Sequence, residues 1–168
     1  MPPWPYMALA SPPEDRGRLE RLRPLPPGVP ERFDWGIGVL GRAKYLAELL
    51  DIPLDDAAEV FEWVDEAPLR GTSKTFHEAA TPVVADFLER VLARLNEGVT
   101  PDGRPQGPVG EQLASSELIT VDETTGRLSF VSRRISLDDL RRHFETLIRM
   151  FRFAEKHGLW LWIEREID

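Results

Sequence analysis

The carboxylates in the middle of the chain recur at the spacing of one helical face. They are separated by four, three and four residues, and we call them the acidic face: Asp55, Glu59, Glu62 and Glu66. No lysine or arginine lies between Lys44 and Arg70, so nothing nearby in the sequence neutralises this face. Neighbouring like charges at this spacing cost roughly 0.2–0.5 kcal/mol per pair in a helix. The pattern favours a surface that binds a basic protein partner, because complementary charge steers association and fixes register.

A second charged pattern lies near the C-terminus, where a long helix is expected. Its cations fall along one side of that helix, and we call them the basic stripe: Arg141, Arg142, Arg149, Arg152 and Lys156. A row of cations binds nucleic-acid phosphates, so the stripe supports nucleic-acid binding as the alternative function. Two simpler interpretations stay open. The stripe and the acidic face pair with each other, or each is the solvated side of an amphipathic helix.

Residues 112–132 resemble the end of a recognition helix followed by the wing of a winged-helix DNA-binding domain. A short helical pattern leads to Leu118–Val121, a turn that contains Gly126, and a returning apolar strand. The resemblance implies a nucleic-acid-binding regulator. The candidate recognition helix, residues 111–115, carries no arginine that would contact bases. Protein binding is therefore the leading prediction and nucleic-acid binding the alternative.

Residue types with catalytic or metal-binding chemistry are few. The three histidines, His77, His143 and His157, have a spacing that fits no single-helix metal motif. Residues 36–41 spell G-x-G-x-x-G, but no buried strand precedes them, so they do not predict a dinucleotide site. We predict no enzymatic activity, no cofactor and no metal. A hydrolase built around His77 and Glu78 is the third alternative.

Composition and charge limit the remaining classes. The 168 residues carry a formal net charge of -8, and 42% of them are hydrophobic, which suffices for a packed core. Residues 51–103 hold 12 acidic and 4 basic residues, an excess that disfavours nucleic acid and membrane surfaces as partners. No cysteine, no apolar run of membrane-spanning length and no secretory signal pattern occur, so we expect a cytoplasmic protein. An immunity protein, an antitoxin or an adaptor subunit fits these properties.

The elements that position these residues centre on one long helix near the C-terminus. Ser136 and Gly158 supply its start and stop signals, and apolar residues recur every three or four positions between them. An apolar strand follows and carries Trp160 and Trp162. These indoles most often fill the second face of a central strand. If that face is exposed, they become candidate anchors for a protein partner.

The chain is predicted to form one α+β domain that is mainly helical. Residues 1–32 hold nine of the fifteen prolines and are interpreted as an N-terminal arm. The domain, residues 33–168, divides into a helical part (33–97), a loop (98–110) and a ββαβ part (111–168). We expect a small antiparallel sheet in which a β-hairpin joins the C-terminal strand, packed on the long helix.

Overall fold

The computed structural model describes residues 5–64, 74–132 and 135–165. The helices in these ranges are α1 (Arg18–Arg21), α2 (Gly36–Leu49), α3 (Ala57–Val64), α4 (Ala80–Gly98), α5 (Gly107–Ala114) and α6 (Leu137–His157). The strands are β1 (Pro5–Ala10), β2 (Arg32–Phe33), β3 (Lys74–Phe76), β4 (Ile119–Val121), β5 (Leu128–Phe130) and β6 (Trp160–Arg165). The prediction of a mainly helical α+β fold with small antiparallel sheets is confirmed.

The helix α6 is the central element, as its sequence pattern predicts. The Ser136 hydroxyl accepts a hydrogen bond from the backbone N–H of Asp139 at 3.0 Å, which caps the first turn. Gly158 ends the helix in the left-handed conformation at φ 65°, where a side chain would be strained. The apolar stripe of α6 is completely buried between α4 and the four-stranded sheet. Its Phe151 ring contacts Phe76 of β3 edge to face at 5.1 Å.

The C-terminal strand has different neighbours from those the sequence predicts. The larger sheet has the order β2-β1-β6-β3, with antiparallel neighbours throughout, and the hairpin β4–β5 forms a separate two-stranded sheet. The expectation that the hairpin joins β6 is therefore wrong. The strand β6 pairs with β1 over six residues, from Pro5 opposite Arg165 to Ala10 opposite Trp160.

The partner of β6 comes from the proline-rich N-terminal segment. Burial alternates along β1, so that Met7 and Leu9 point into the core opposite Ile163 and Leu161. Burying side chains of this size stabilises the fold by about 1.5–3 kcal/mol each. Leu19 of α1 is also buried. Met7, Leu9 and Leu19 thus anchor this segment in the core of the molecule.

The hairpin lies against α2, α5 and α6. It forms at the predicted place, with Gly126 at φ 75° in its turn. Phe130 points inward and contacts Tyr45 of α2 edge to face at 6.1 Å. The preceding helix α5 begins at residue 107, earlier than the pattern predicts. It packs on the end of α4 so closely that a Cβ on Gly110 would lie 2.7 Å from the carbonyl oxygen of Gly98.

Candidate protein-binding surfaces

The acidic face lies on α3 and on the residues that lead into it. The helix buries Ala57, Val60 and Phe61, and the Phe61 ring contacts Phe87 of α4 edge to face at 5.2 Å. This packing leaves Asp55, Glu59 and Glu62 exposed on the opposite side. Glu66 lies outside the described residues. The helical spacing in the sequence therefore places Glu59 and Glu62 on the exposed side of α3, whereas Asp55 lies two residues before the helix at φ 49°.

The carboxylates of the acidic face have little compensation inside the molecule. Asp55 lies 3.6 Å from the guanidinium of Arg90 on α4. Within the described ranges, Glu59 and Glu62 form no ion pair and no side-chain hydrogen bond. The acidic face and the basic stripe do not pair with each other in the described part of the chain, which excludes one of the simpler interpretations there.

The outer side of the four-stranded sheet presents both tryptophans of β6. Leu161 and Ile163 are buried, so the alternation of the strand directs Trp160 and Trp162 to the other face. Trp162 is 41% exposed. Its cross-strand neighbours are Ala8 of β1 and Thr75 of β3, and these small side chains do not cover the indole. No element among the described residues packs over Trp162.

Trp160 is more enclosed than Trp162. Ala10 lies opposite it on β1, and His77 packs against the indole edge to face with ring centroids 4.3 Å apart. The indole Nε1 is buried and has no hydrogen-bond partner in the described part of the chain. The histidine that sequence reasoning paired with Glu78 for catalysis thus contributes its ring to this face of the sheet.

The basic stripe of α6 is engaged by the rest of the molecule. Arg141 donates to the carbonyl oxygens of Thr100 at 2.8 Å and Val99 at 3.3 Å, and its side chain is only 12% exposed. Arg149 donates from Nε to the carbonyl oxygen of Gly28 at 2.8 Å. Arg141 uses both terminal nitrogens for acceptors within the protein, whereas Arg149 is exposed and bonds to described residues only through its Nε and one terminal nitrogen, so it keeps N–H donors for a ligand.

The remaining cations of the stripe differ in their degree of pairing. Arg152 donates to Glu89 and Glu155 at 2.8 Å and to Asp86 at 2.5 Å, and the hydrogen bond to Glu89 is the largest cause that raises the pKa of this guanidinium. Arg142 pairs with Asp139 and, at 3.4 Å, with Asp138. In the described ranges, Lys156 is exposed and forms no ion pair.

An aromatic cluster beside α6 was not predicted from the sequence. Trp35, 50% exposed, stacks on His143 with ring centroids 5.9 Å apart and an interplanar angle of 12°, and Phe33 meets the imidazole edge to face at 5.6 Å. Burial lowers the pKa of His143. Its Nδ1 atom is buried without a hydrogen-bond partner among the described residues. No local signal reveals this cluster, because its members come from β2, the start of α2 and α6.

The hairpin also carries an unpredicted surface. Its inner residues Ile119, Leu128 and Phe130 are buried, yet three large apolar side chains beside them are exposed: Leu118 by 45%, Val121 by 43% and Val131 by 51%. In the sequence, all six look like ordinary strand residues. Only the packing shows which ones the core does not cover.

Known proteins provide no comparison for these surfaces. No protein-family model, no curated protein and no solved structure matches the chain. Among the described residues, no group of three or more histidines and carboxylates is arranged to hold a metal ion. None of the described helices combines the length and apolar character needed to cross a bilayer. The surfaces themselves are therefore the basis for a functional proposal.

Proposed function

We propose that this protein is a non-catalytic protein-binding module whose acidic face attracts a basic protein partner. The observation that carries the proposal is the pair Glu59 and Glu62, both exposed on α3 and both without an ion pair in the described ranges. A cationic partner would relieve the repulsion between these carboxylates and gain favourable charge contacts. Such electrostatic steering raises the association rate and weakens as salt is added.

The internal hydrogen bonds and ion pairs of the basic stripe support protein binding over nucleic-acid binding. The guanidinium groups of Arg141 and Arg149 hold backbone carbonyls, and that of Arg152 is shared among three carboxylates. A phosphate ligand would have to replace the contacts of Arg141 and Arg152. Exposed cations with fewer internal bonds, such as Arg149 and Lys156, would still attract a phosphate backbone of any sequence.

The outer face of the sheet supplies a second contact surface in this proposal. Trp162 combines a large apolar area with an N–H donor, the property that makes tryptophan a frequent anchor at protein interfaces. Trp160 lies on the same face two residues earlier in β6 and packs against His77. The charges of the acidic face would govern the encounter, and the indole of Trp162 would govern the lifetime of the complex.

The partner class that fits this chemistry is a basic protein, such as a toxin or nuclease that the module neutralises, or a basic subunit that it joins as an adaptor. We also propose a cytoplasmic location; the sequence has no cysteine, and cytoplasmic proteins seldom depend on disulfides.

The test is affinity capture from native lysate with washes through a salt gradient, followed by detection of protein and nucleic acid. We expect the wild type to retain a basic protein that moderate salt releases. The variant Glu59→Lys/Glu62→Lys should lose at least about tenfold in affinity, since each removed charge contact also becomes a repulsion. The matched control is Glu111→Lys/Glu145→Lys, which changes the net charge equally at exposed positions outside α3.

Two results would contradict the proposal. Undiminished retention by the α3 variant, with normal retention by the control, would show that the acidic face is solvated surface. Capture of nucleic acid that depends on Arg142 and Lys156 would instead favour the nucleic-acid alternative.

A further inference from the structure

The two outer edges of the hairpin β4–β5 differ in how their backbone groups are bonded. On the β5 edge, the N–H of Leu128 donates to the carbonyl oxygen of Gly103 at 2.9 Å, and the N–H of Phe130 donates to that of Ile135 at 2.8 Å. A bridge between Ser129 and Ser136 continues this cover. The edge of β5 is therefore satisfied by the protein's own backbone.

No described residue covers the β4 edge in this way. The backbone bonds from Val131 to Leu118 and from Asp122 to Arg127 show that the even-numbered residues of β4 bond to β5. In an antiparallel pair, the odd-numbered residues then point their backbone groups away from β5. The N–H of Ile119 donates to Ser116, but within the described ranges neither the carbonyl of Ile119 nor the N–H and carbonyl of Val121 has a hydrogen-bond partner. Three polar groups of β4 thus face outward in line.

The side chains around this edge are apolar where solvent would favour polar ones. Leu118 and Val131 are cross-strand neighbours, since the N–H of Val131 donates to the carbonyl of Leu118 at 2.8 Å. Val121 lies at the other end of β4. Natural proteins usually protect such an edge with a charge, a proline or a bulge within the strand. None of these devices occurs between Leu118 and Val121.

The charges that flank the edge are all negative. Glu117 precedes the strand, and Asp122 and Glu123 follow it; all three are exposed and form no ion pair in the described part of the chain. Backbone hydrogen bonds from Thr125 and Thr124 lower the pKa of Asp122, so its carboxylate stays ionised at neutral pH. An added strand with basic ends would therefore match the charge at both ends of β4.

In the register centred on Thr120, the same charges disfavour a second copy of the chain at this edge. If two copies of β4 paired about a two-fold axis at Thr120, Glu117 of each would lie opposite Glu123 of the other. Asp122 would lie opposite Leu118. Like charges directly opposite each other destabilise a strand pair.

We propose that the outer edge of β4 takes up an extended, basic-flanked segment of a partner protein as an added strand. The unpaired groups of Ile119 and Val121 supply the main-chain hydrogen bonds, and Leu118, Val121 and Val131 supply the apolar contacts. Glu117, Asp122 and Glu123 select the basic flanks. This mode of binding requires no residue of the acidic face, and it holds or fails independently of the role proposed for α3.

The probe is a short synthetic peptide with alternating valine and threonine between lysine pairs, and the matched control peptide has glutamate pairs instead. We expect the basic peptide to bind the full chain and to slow hydrogen exchange at the Val121 amide. The variant Val121→Pro removes that N–H, and proline is tolerated on an edge strand. It should weaken binding about tenfold, while Val121→Thr, which keeps the N–H, should weaken it by less than about threefold.

A second variant keeps the test decisive if proline disturbs the hairpin. Glu117→Lys/Glu123→Lys retains the strand and reverses the charge on either side of it. This variant should therefore bind the acidic peptide more tightly than the basic one. Absence of protection at Val121, or equal binding of both peptides by the wild type, would overturn the proposal. Concentration-dependent dimerisation that Val121→Pro abolishes would also overturn it and would assign the edge to a second copy. Glu59→Lys/Glu62→Lys should leave peptide binding unchanged, which separates this result from the test of the acidic face.

Discussion

The acidic face of α3 and the basic stripe of α6 are charged helix surfaces of opposite sign, and the molecule uses them in opposite ways. The arginines of the stripe bond to loop carbonyls and to carboxylates of α4 and α6. In the acidic face, Asp55 has one distant ion pair, and Glu59 and Glu62 have none among the described residues. The comparison shows that a charge pattern in the sequence does not by itself reveal whether the charged groups bond within the protein or are available to a partner. An internally bonded stripe is part of the fold, whereas an uncompensated face is available to a partner.

Removal of Arg141 should have the largest effect on stability and is therefore the strictest test of the difference between the two surfaces. Arg141→Ala should lower the free energy of unfolding by about 1–3 kcal/mol, because it removes the charge-assisted hydrogen bonds to the carbonyls of Val99 and Thr100, which then keep the Gln106 side chain and the N–H of Gly103 as donors. Urea denaturation measures this change. Lys156→Ala is the control on the same helix and should stay within about 0.5 kcal/mol of the wild type. Equal stability of both variants would mean that the stripe is solvated surface like the acidic face.

A smaller effect is expected at Arg152. Arg152→Gln retains most of the side-chain packing but removes the cation shared by Asp86, Glu89 and Glu155. The free energy of unfolding should fall by about 1 kcal/mol at low ionic strength, and by less when salt screens the charges. A loss that does not respond to salt would indicate that packing, and not charge, explains the role of Arg152.

His143 provides a further test on α6, because burial disfavours the charged form of its imidazole. Burial lowers its pKa in the folded protein, while the positive charges of Arg42 and Arg142 lower it further and Asp139 opposes them. Above pH 6.5, the imidazole is neutral in both states. As the pH falls below this value, the unfolded chain binds the proton first, so the free energy of unfolding decreases until the folded pKa is passed. Thermal unfolding between pH 7.5 and about 5 should show this decrease.

The control for this pH dependence is His143→Phe, which preserves the stack on Trp35 and removes the titrating group. Its stability should fall less steeply over the same range than that of the wild type. Identical slopes for the two proteins would contradict the assignment of the effect to His143, since both proteins keep all the other residues.

The smallest effect concerns the acidic face itself. Glu62→Lys should raise the free energy of unfolding by roughly 0.2–0.5 kcal/mol at low salt, because it replaces repulsion from Glu59 with attraction and puts a cation near the C-terminal end of α3. Glu145→Lys should have the opposite sign, since the new cation would lie one turn from Arg141, Arg142 and Arg149. Urea denaturation of both variants at two ionic strengths tests this prediction. Effects of the same sign would contradict the contrast between the two helices.

Local patterns predict much of this fold. The cap at Ser136, the glycine at position 158 and the apolar repeat between them define α6 without any tertiary information. The spacing of Asp55, Glu59 and Glu62 likewise predicts their common exposure. In each case, the determining interactions lie within one or two helical turns.

Contacts between residues distant in the sequence could not be predicted from local patterns. Prolines at positions 2, 3 and 5 mask the alternation of β1, so its pairing with β6 cannot be deduced from the segment itself. The carbonyls held by Arg141 and the stack of Trp35 on His143 depend on how separate elements meet. The exposure of Leu118 and Val121 is hidden for the same reason, since strand residues on either face have similar composition.

The pairing of β1 with β6 has a consequence for how the chain is made. Met7 and Leu9 of β1 leave the ribosome well before their partners Ile163 and Leu161 of β6. The entropy of closing so large a loop grows only slowly with its length, so the finished sheet loses little stability by this connectivity. Such long-range pairing slows folding, however. During synthesis Met7 and Leu9 therefore lack these partners until the residues between β1 and β6 have been translated.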